Sequence, residues 1–238
     1  MPIVSPIKVA EIWLVEANYL RGTVVQIWEH MAILLCGSLL VALSVLPMIL
    51  MVLLTGYSTM LATCLFTLAP AWVACCYMTG RTTIYSKSTL GDFLAALVHY
   101  YWRSCVLAIP IVILVVMLRI SFPFLNSVPT LIFTVGIVFQ ILALFIAFCV
   151  FIFAAPILGL FQVNVFHAMA YGLVLMLRSP LMAIGLVSMA FLLGMLANVL
   201  GAGMWLIIPL IFIPFEVNTT LMLVRKTIEL ERSSGLSK

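Results

Sequence analysis

Glu216 stands in the run IFIPFEVNTTLMLVRK, about nine residues before its basic end, so at 1.5 Å per residue it lies roughly 13 Å inside that end. A carboxylate so deep in an apolar segment is expensive, and groups kept at that cost bind protons, cations or polar parts of a substrate. Asn218, Thr219 and Thr220 follow it and give this segment its polar cluster. Gln140, in FTVGIVFQILALF, is the other uncharged polar group of note deep in an apolar run, and a lone glutamine there ties two helices together or marks a pathway. Glu216, Asn218, Thr219 and Gln140 are therefore the candidate polar site. The structural alternative ends the span near Val217 and pairs Glu216 with Arg103, Arg178 or a histidine of a surface helix.

A second set of residues sits near the ends of the apolar runs. In TLGDFLAALVHYYWRSCVLAIP, Asp92, Ala96, His99 and Arg103 recur at steps of four, three and four, which places them on one helical face. The run NVFHAMAYGLVLMLRSP adds Asn164, His167 and Arg178. Together Asp92, His99, Arg103, Asn164, His167 and Arg178 form a candidate cytoplasmic docking face. The chain's histidines, His30, His99 and His167, each fall in an amphipathic run ahead of a long apolar one. None has a partner at HxxxH or ExxH spacing, so they suit the membrane interface better than a metal, and no metal or cofactor is expected. The six cysteines show no CxxC pair and read as small core residues. No P-loop, dinucleotide fingerprint, HExxH or GxSxG appears. Asp92 and Glu216 are the only acids between His30 and the C-terminal tail, too few for ordinary acid and base catalysis, so an enzyme is not expected.

The elements that must position these groups follow from composition. Of 238 residues, 66% are hydrophobic and 8% charged, against about 25% charged in ordinary globular domains, so the chain is read as an integral membrane protein surrounded by a lipid bilayer. The net charge of +4 has no dense basic patch of the kind used on nucleic acid. Six apolar segments have the ~20 residues that cross a bilayer, at roughly 31–54, 59–79, 104–124, 128–153, 180–200 and 203–224. Short turns, TGYS, the stretch around FPFLNSVP and the stretch around LGAG, join them into three antiparallel hairpins at about 31–79, 104–153 and 180–224.

The expected fold is thus an all-α membrane protein of six transmembrane helices, each hairpin preceded by an amphipathic cytoplasmic surface helix. Residues 1–30 form an N-terminal interfacial segment without a cleavable signal, 31–224 the membrane domain and 225–238 a C-terminal tail. Ten Lys and Arg residues fall on the side shared by both termini, against Arg119 on the other, which puts both termini in the cytoplasm. The even segments echo one another in LAPAW around Pro70, AAPIL around Pro156 and FIPFE around Pro214, as three copies of one unit would.

The stretches LLCGSLLVALSVLP (34–47), TLAPAWVACCYMTGR (67–81), DFLAALVHYYWRS (92–104) and NVFHAMAYGLVLMLRSP (164–180) make the chain resemble the YesL-like family of bacterial six-span membrane proteins. It departs from that pattern where Ala69, not glycine, precedes Pro70, and in a longer first span before Pro47. The resemblance implies a bacterial inner-membrane location and association with carbohydrate ABC importers. The expected function is an accessory or structural subunit that binds other membrane-protein subunits. The alternative is a transport subunit or small secondary transporter that uses Glu216 in a polar path.

Overall fold

Long apolar runs without period-two alternation satisfy their backbone groups internally as helices, as lipid requires. A computed structural model describes residues 19–47, 60–85, 87–127, 131–200 and 204–233. Among them are eight α-helices: α1 (Tyr19–Glu29), α2 (Met31–Leu43), α3 (Met60–Tyr85), α4 (Leu90–Ser127), α5 (Leu131–Phe161), α6 (Val165–Arg178), α7 (Pro180–Leu200) and α8 (Met204–Ser233).

Four stretches of these helices are long and apolar enough to cross a membrane: Leu90–Pro123, Phe133–Phe161, Pro180–Ala197 and Ile207–Glu229. Helices α1 and α2 meet at 85° and make a fifth if the bent pair counts as one span. The chain is a multi-pass membrane protein, and its described residues hold four to five such elements where six were expected. The difference lies in the first hairpin. Residues 48–59, with the expected TGYS turn and the end of the first span, lie outside the described residues. Residues 128–130 and 201–203, at the other two expected turns, lie outside them as well, as do residues 1–18 and 234–238.

Helices α3, α5 and α8 pack against one another as an inner layer. Their buried residues include Val73, Ala74 and Met78 of α3, Phe153 and Leu158 of α5, and Ile213 and Val217 of α8. Pro70, Pro156 and Pro214 each lie buried within one of the three. The outer helices occupy the flanks: α2 against α8 and α3, α4 against α3 and α5, and α7 chiefly against α8. Outward residues such as Ile113 and Met117 of α4 and Leu181 and Phe191 of α7 stay exposed and form the surface that meets lipid. Lipid tails are as apolar as leucine, so helices hold together by close packing and interhelical hydrogen bonds, and small residues at the contacts shorten the approach. Gly172 of α6 illustrates this: a Cβ added there would sit 2.9 Å from the Val150 carbonyl oxygen and 3.2 Å from the Ala154 nitrogen of α5.

Three local readings are revised. The stretch from Thr89 through Arg103 is not a separate surface helix before the third span; α4 runs unbroken from Leu90 through Pro110 and Pro123. Proline is tolerated there because in a membrane neighbouring helices and small local adjustments re-satisfy the freed backbone groups. The expected tail at 225–238 is helical as far as Ser233, where an Arg225–Glu229 pair at spacing four supports the last turns of α8. Helix α1 is amphipathic as expected but turned over. Its polar Thr23 is 1% exposed, while Leu20, Val24 and Trp28 point outward, Trp28 at 78%. By contrast α6 is a separate amphipathic helix ahead of α7, burying Val165, Ala168, Gly172 and Leu175.

Candidate functional site

Polar residues on three helices recur at helical spacing and meet inside the bundle. Trp72, Cys76, Thr79 and Thr83 follow steps of four, three and four along α3, and Tyr19, Thr23 and Gln26 follow steps of four and three along α1. The cluster Glu216 to Thr220 on α8 faces both stripes, and Glu216, Asn218, Thr219 and Thr220 are all buried.

Two groups of contacts result. In the first, Glu216, at 0% exposure, accepts from the Trp72 indole N–H at 3.0 Å (Oε2) and 3.3 Å (Oε1), and from the Cys76 thiol at 3.7 Å. In the second, Asn218 joins α8 to both other helices. Its amide nitrogen donates to Thr23 Oγ1 at 3.1 Å and to Gln26 Oε1 at 2.7 Å, and its oxygen accepts from Thr83 Oγ1 at 3.1 Å. Gln26 Nε2 in turn donates to Thr83 Oγ1 at 2.7 Å, closing a ring of side chains across α1, α3 and α8. Beside it the Tyr19 hydroxyl lies 2.5 Å from Thr219 Oγ1 and 3.0 Å from the Phe215 carbonyl oxygen, with the Tyr19 and Phe215 rings edge to face.

Satisfied in this way, buried polar groups are strong ties, because each would be costly to leave unpaired in a low-dielectric interior. Both partners of the Glu216 carboxyl are donors, and among the described residues no basic side chain bonds to it. Arg103, Arg178 and the histidines are not its partners; the contact runs to α3.

Gln140 is not gathered into this site. It donates from α5 to Ser121 Oγ of α4 at 3.3 Å and so links two neighbouring helices. The other candidate residues lie elsewhere on the molecule. Asp92 is bonded to Arg81 of α3 and also accepts from the Thr89 backbone N–H at 2.9 Å and hydroxyl at 3.0 Å, capping the start of α4. His99 is exposed and meets Tyr100 edge to face, Arg103 is partly buried, and Asn164 stands at the N-cap of α6 without a side-chain cap bond. His167 and Arg178 are exposed on α6, which touches α4, so the two halves of the expected docking face sit on contacting helices. Among the described residues no three of His, Cys, Asp and Glu are grouped as a metal ion would need.

The sequence reading missed Tyr19, Thr23, Gln26, Trp72, Cys76 and Thr83. A signal for the α1 residues was present: three polar groups on one face of a helix whose opposite face is Leu20, Val24 and Trp28. Nothing in the spacing of α3 alone indicates which of its faces turns toward α8. Comparison with family models, curated proteins and solved structures gives no match, so the site stands on its own geometry.

Proposed function

We propose that this chain is an accessory integral-membrane subunit that docks onto a larger membrane assembly. Its resemblance to the YesL-like family points to a carbohydrate ABC importer as the class of partner. The observation that carries this reading is the use made of the polar groups of α8. Glu216 is fully buried against Trp72 and Cys76, and Asn218 is committed to Thr23, Gln26 and Thr83, so these groups fasten helices together rather than line an open path.

The same reading has six crossings with both termini in the cytoplasm. Helix α3 is held between α5 and α8, each long enough to cross a membrane, and α2 continues toward the apolar residues 48–54. Arg81, Arg178, Arg225 and Lys226 follow the positive-inside rule at the end of the bundle assigned to the cytoplasm. In this reading Asp92, His99, Arg103, Asn164, His167 and Arg178 are the docking groups of that end, Asp92 being bonded also to Arg81 and Thr89.

The test is extraction of native membranes in mild detergent, capture of the chain, and mass spectrometry of what stays bound through size exclusion. Stoichiometric recovery with other membrane subunits supports the reading; recovery of the chain alone overturns it. The alternative, a transporter acting through Glu216, draws on the absence of a basic partner at that carboxyl among the described residues. It predicts that Glu216→Gln abolishes solute uptake in cells, whereas the subunit reading predicts unchanged uptake.

A further inference from the structure

Two cavities adjoin at the end of the bundle where the inner helices turn basic. The first, about 330 Å³, lies between α3, the α5–α6 corner and α8, and carries Tyr77, Arg81, Tyr85, Gln162 and Arg225 on its wall. The second, about 270 Å³, lies between α5, α6 and α8 and is faced mainly by apolar side chains, with the Tyr171 ring and Thr227 at its edge. Phe161, Val224 and Ile228 line both, so the two are neighbouring chambers of one depression.

The charged groups on the wall of the first chamber are arginines. Arg81 and Arg225 line it, and no carboxylate does among the described residues; Asp92 and Glu229 bond to these arginines from outside the wall. The Tyr77 and Tyr85 rings each lie 5.9 Å from the Arg81 guanidinium carbon and, with Asp92, hold it in place. At the corner, Gln162 has φ 53°, a left-handed conformation in which a residue other than glycine is uncommon. Gln162 lines the cavity, and its side chain is hydrogen-bonded to Tyr100 of α4.

A chamber with two arginines on its wall beside an apolar one, at the basic end of a membrane bundle, matches an amphiphile with an anionic head. Basic pockets between helices at this level are suited to phospholipid head groups, and guanidinium groups pair with phosphate oxygens through parallel hydrogen bonds. We propose that this depression binds an anionic glycerophospholipid of the adjoining leaflet, its phosphate on Arg81 and Arg225 and one acyl chain in the chamber between α5, α6 and α8.

The experiment is native mass spectrometry of the detergent-purified, delipidated full-length chain, titrated with phosphatidylglycerol, with phosphatidylcholine of the same acyl chains, and with inorganic phosphate. Phosphatidylglycerol is retained in preference to phosphatidylcholine. Arg225→Gln weakens its retention about fivefold, the worth of one basic residue at an anionic membrane surface. Arg81→Gln has a similar effect, and Val174→Trp, which fills the apolar chamber, lowers retention with both arginines intact. Arg178→Gln, at the same end but outside both cavities, leaves retention unchanged. Arg225→Gln changes a partly exposed residue of α8 outside the Arg81–Asp92 pair, so it remains informative if Arg81→Gln does not fold. Equal retention of the two lipids overturns the proposal, as does unchanged retention in Arg225→Gln. Displacement of phosphatidylglycerol by inorganic phosphate at equal concentration also overturns it, because the ligand is then a free anion.

Discussion

The Trp72 indole N–H reaches both oxygens of Glu216 across the α3–α8 contact, at 3.0 Å and 3.3 Å. With Trp72 changed to Phe, the carboxyl keeps only the Cys76 thiol, and an under-satisfied buried acceptor costs about 1–3 kcal/mol. Glu216→Gln keeps an oxygen for the indole and should cost less. Thermal unfolding in mild detergent should therefore rank Trp72→Phe below Glu216→Gln in stability. Equal midpoints for Trp72→Phe and the parent chain would remove the indole from any role at this carboxyl.

Asn218 is expected to matter chiefly for α1. Its loss in Asn218→Ala leaves Thr23, Gln26 and Thr83 each short of a partner, with about 1–3 kcal/mol for each group left unsatisfied as an upper range. The measurable sign is local: limited proteolysis in detergent micelles should cut within residues 19–29 well before the rest of the chain. If α1 stays as protected as in the parent, the Asn218 ring does not hold it.

Asp92 has two structural duties, the cap of α4 and the tie to Arg81. Asp92→Ala should cost about 1–2 kcal/mol through the lost cap, and Asp92→Asn, which retains a capping oxygen, should recover most of it. A docking role for this residue makes the opposite forecast. Partner binding would then fall in both variants with the unfolding midpoint unchanged.

Close approach of α5 and α6 gives a pair of contrasting glycine substitutions. Gly172→Ala forces a methyl group against the Val150 carbonyl and should destabilise by about 1–3 kcal/mol. At Gly185 of α7 nothing lies within 4 Å of an added Cβ, so Gly185→Ala should be neutral or stabilise by up to about 1 kcal/mol through helix propensity. Matching effects at the two sites would mean that α6 does not pack as described.

Much of the layout was legible from residue types alone. Long apolar runs announced helices in lipid, the run NVFHAMAYGLVLMLRSP read as an amphipathic helix ahead of a hairpin, and the depth of Glu216 marked it as buried. The parts not legible depend on which faces meet. An amphipathic helix reads as lying between water and lipid, yet the polar stripe of α1 finds partners on α3 and α8 and its apolar stripe turns outward, a choice made by residues nearly two hundred positions away. The run from Asp92 to Arg103 reads as a surface helix separate from the span, yet Tyr100, Tyr101 and Trp102 within it and Pro110 beyond it do not interrupt α4. Its helix continues because neither residue type breaks a helix that is packed against α3 and α5. Asp92 was assigned outward for the same reason: its partner Arg81 lies on another helix, and pairing between helices leaves no trace in spacing.

The ring that joins Tyr19, Thr23 and Gln26 to Asn218 and Thr219 also sets an order of events during synthesis. Partners 192 to 200 residues apart cannot meet until the ribosome has made α8. Until then, Tyr19 and Thr23 of α1 lack their partners on α8, and Gln26 can reach only Thr83 of α3. The arrival of α8 completes the ring, so a chain cut short before Asn218 would leave α1 without the partners that tie it to the bundle.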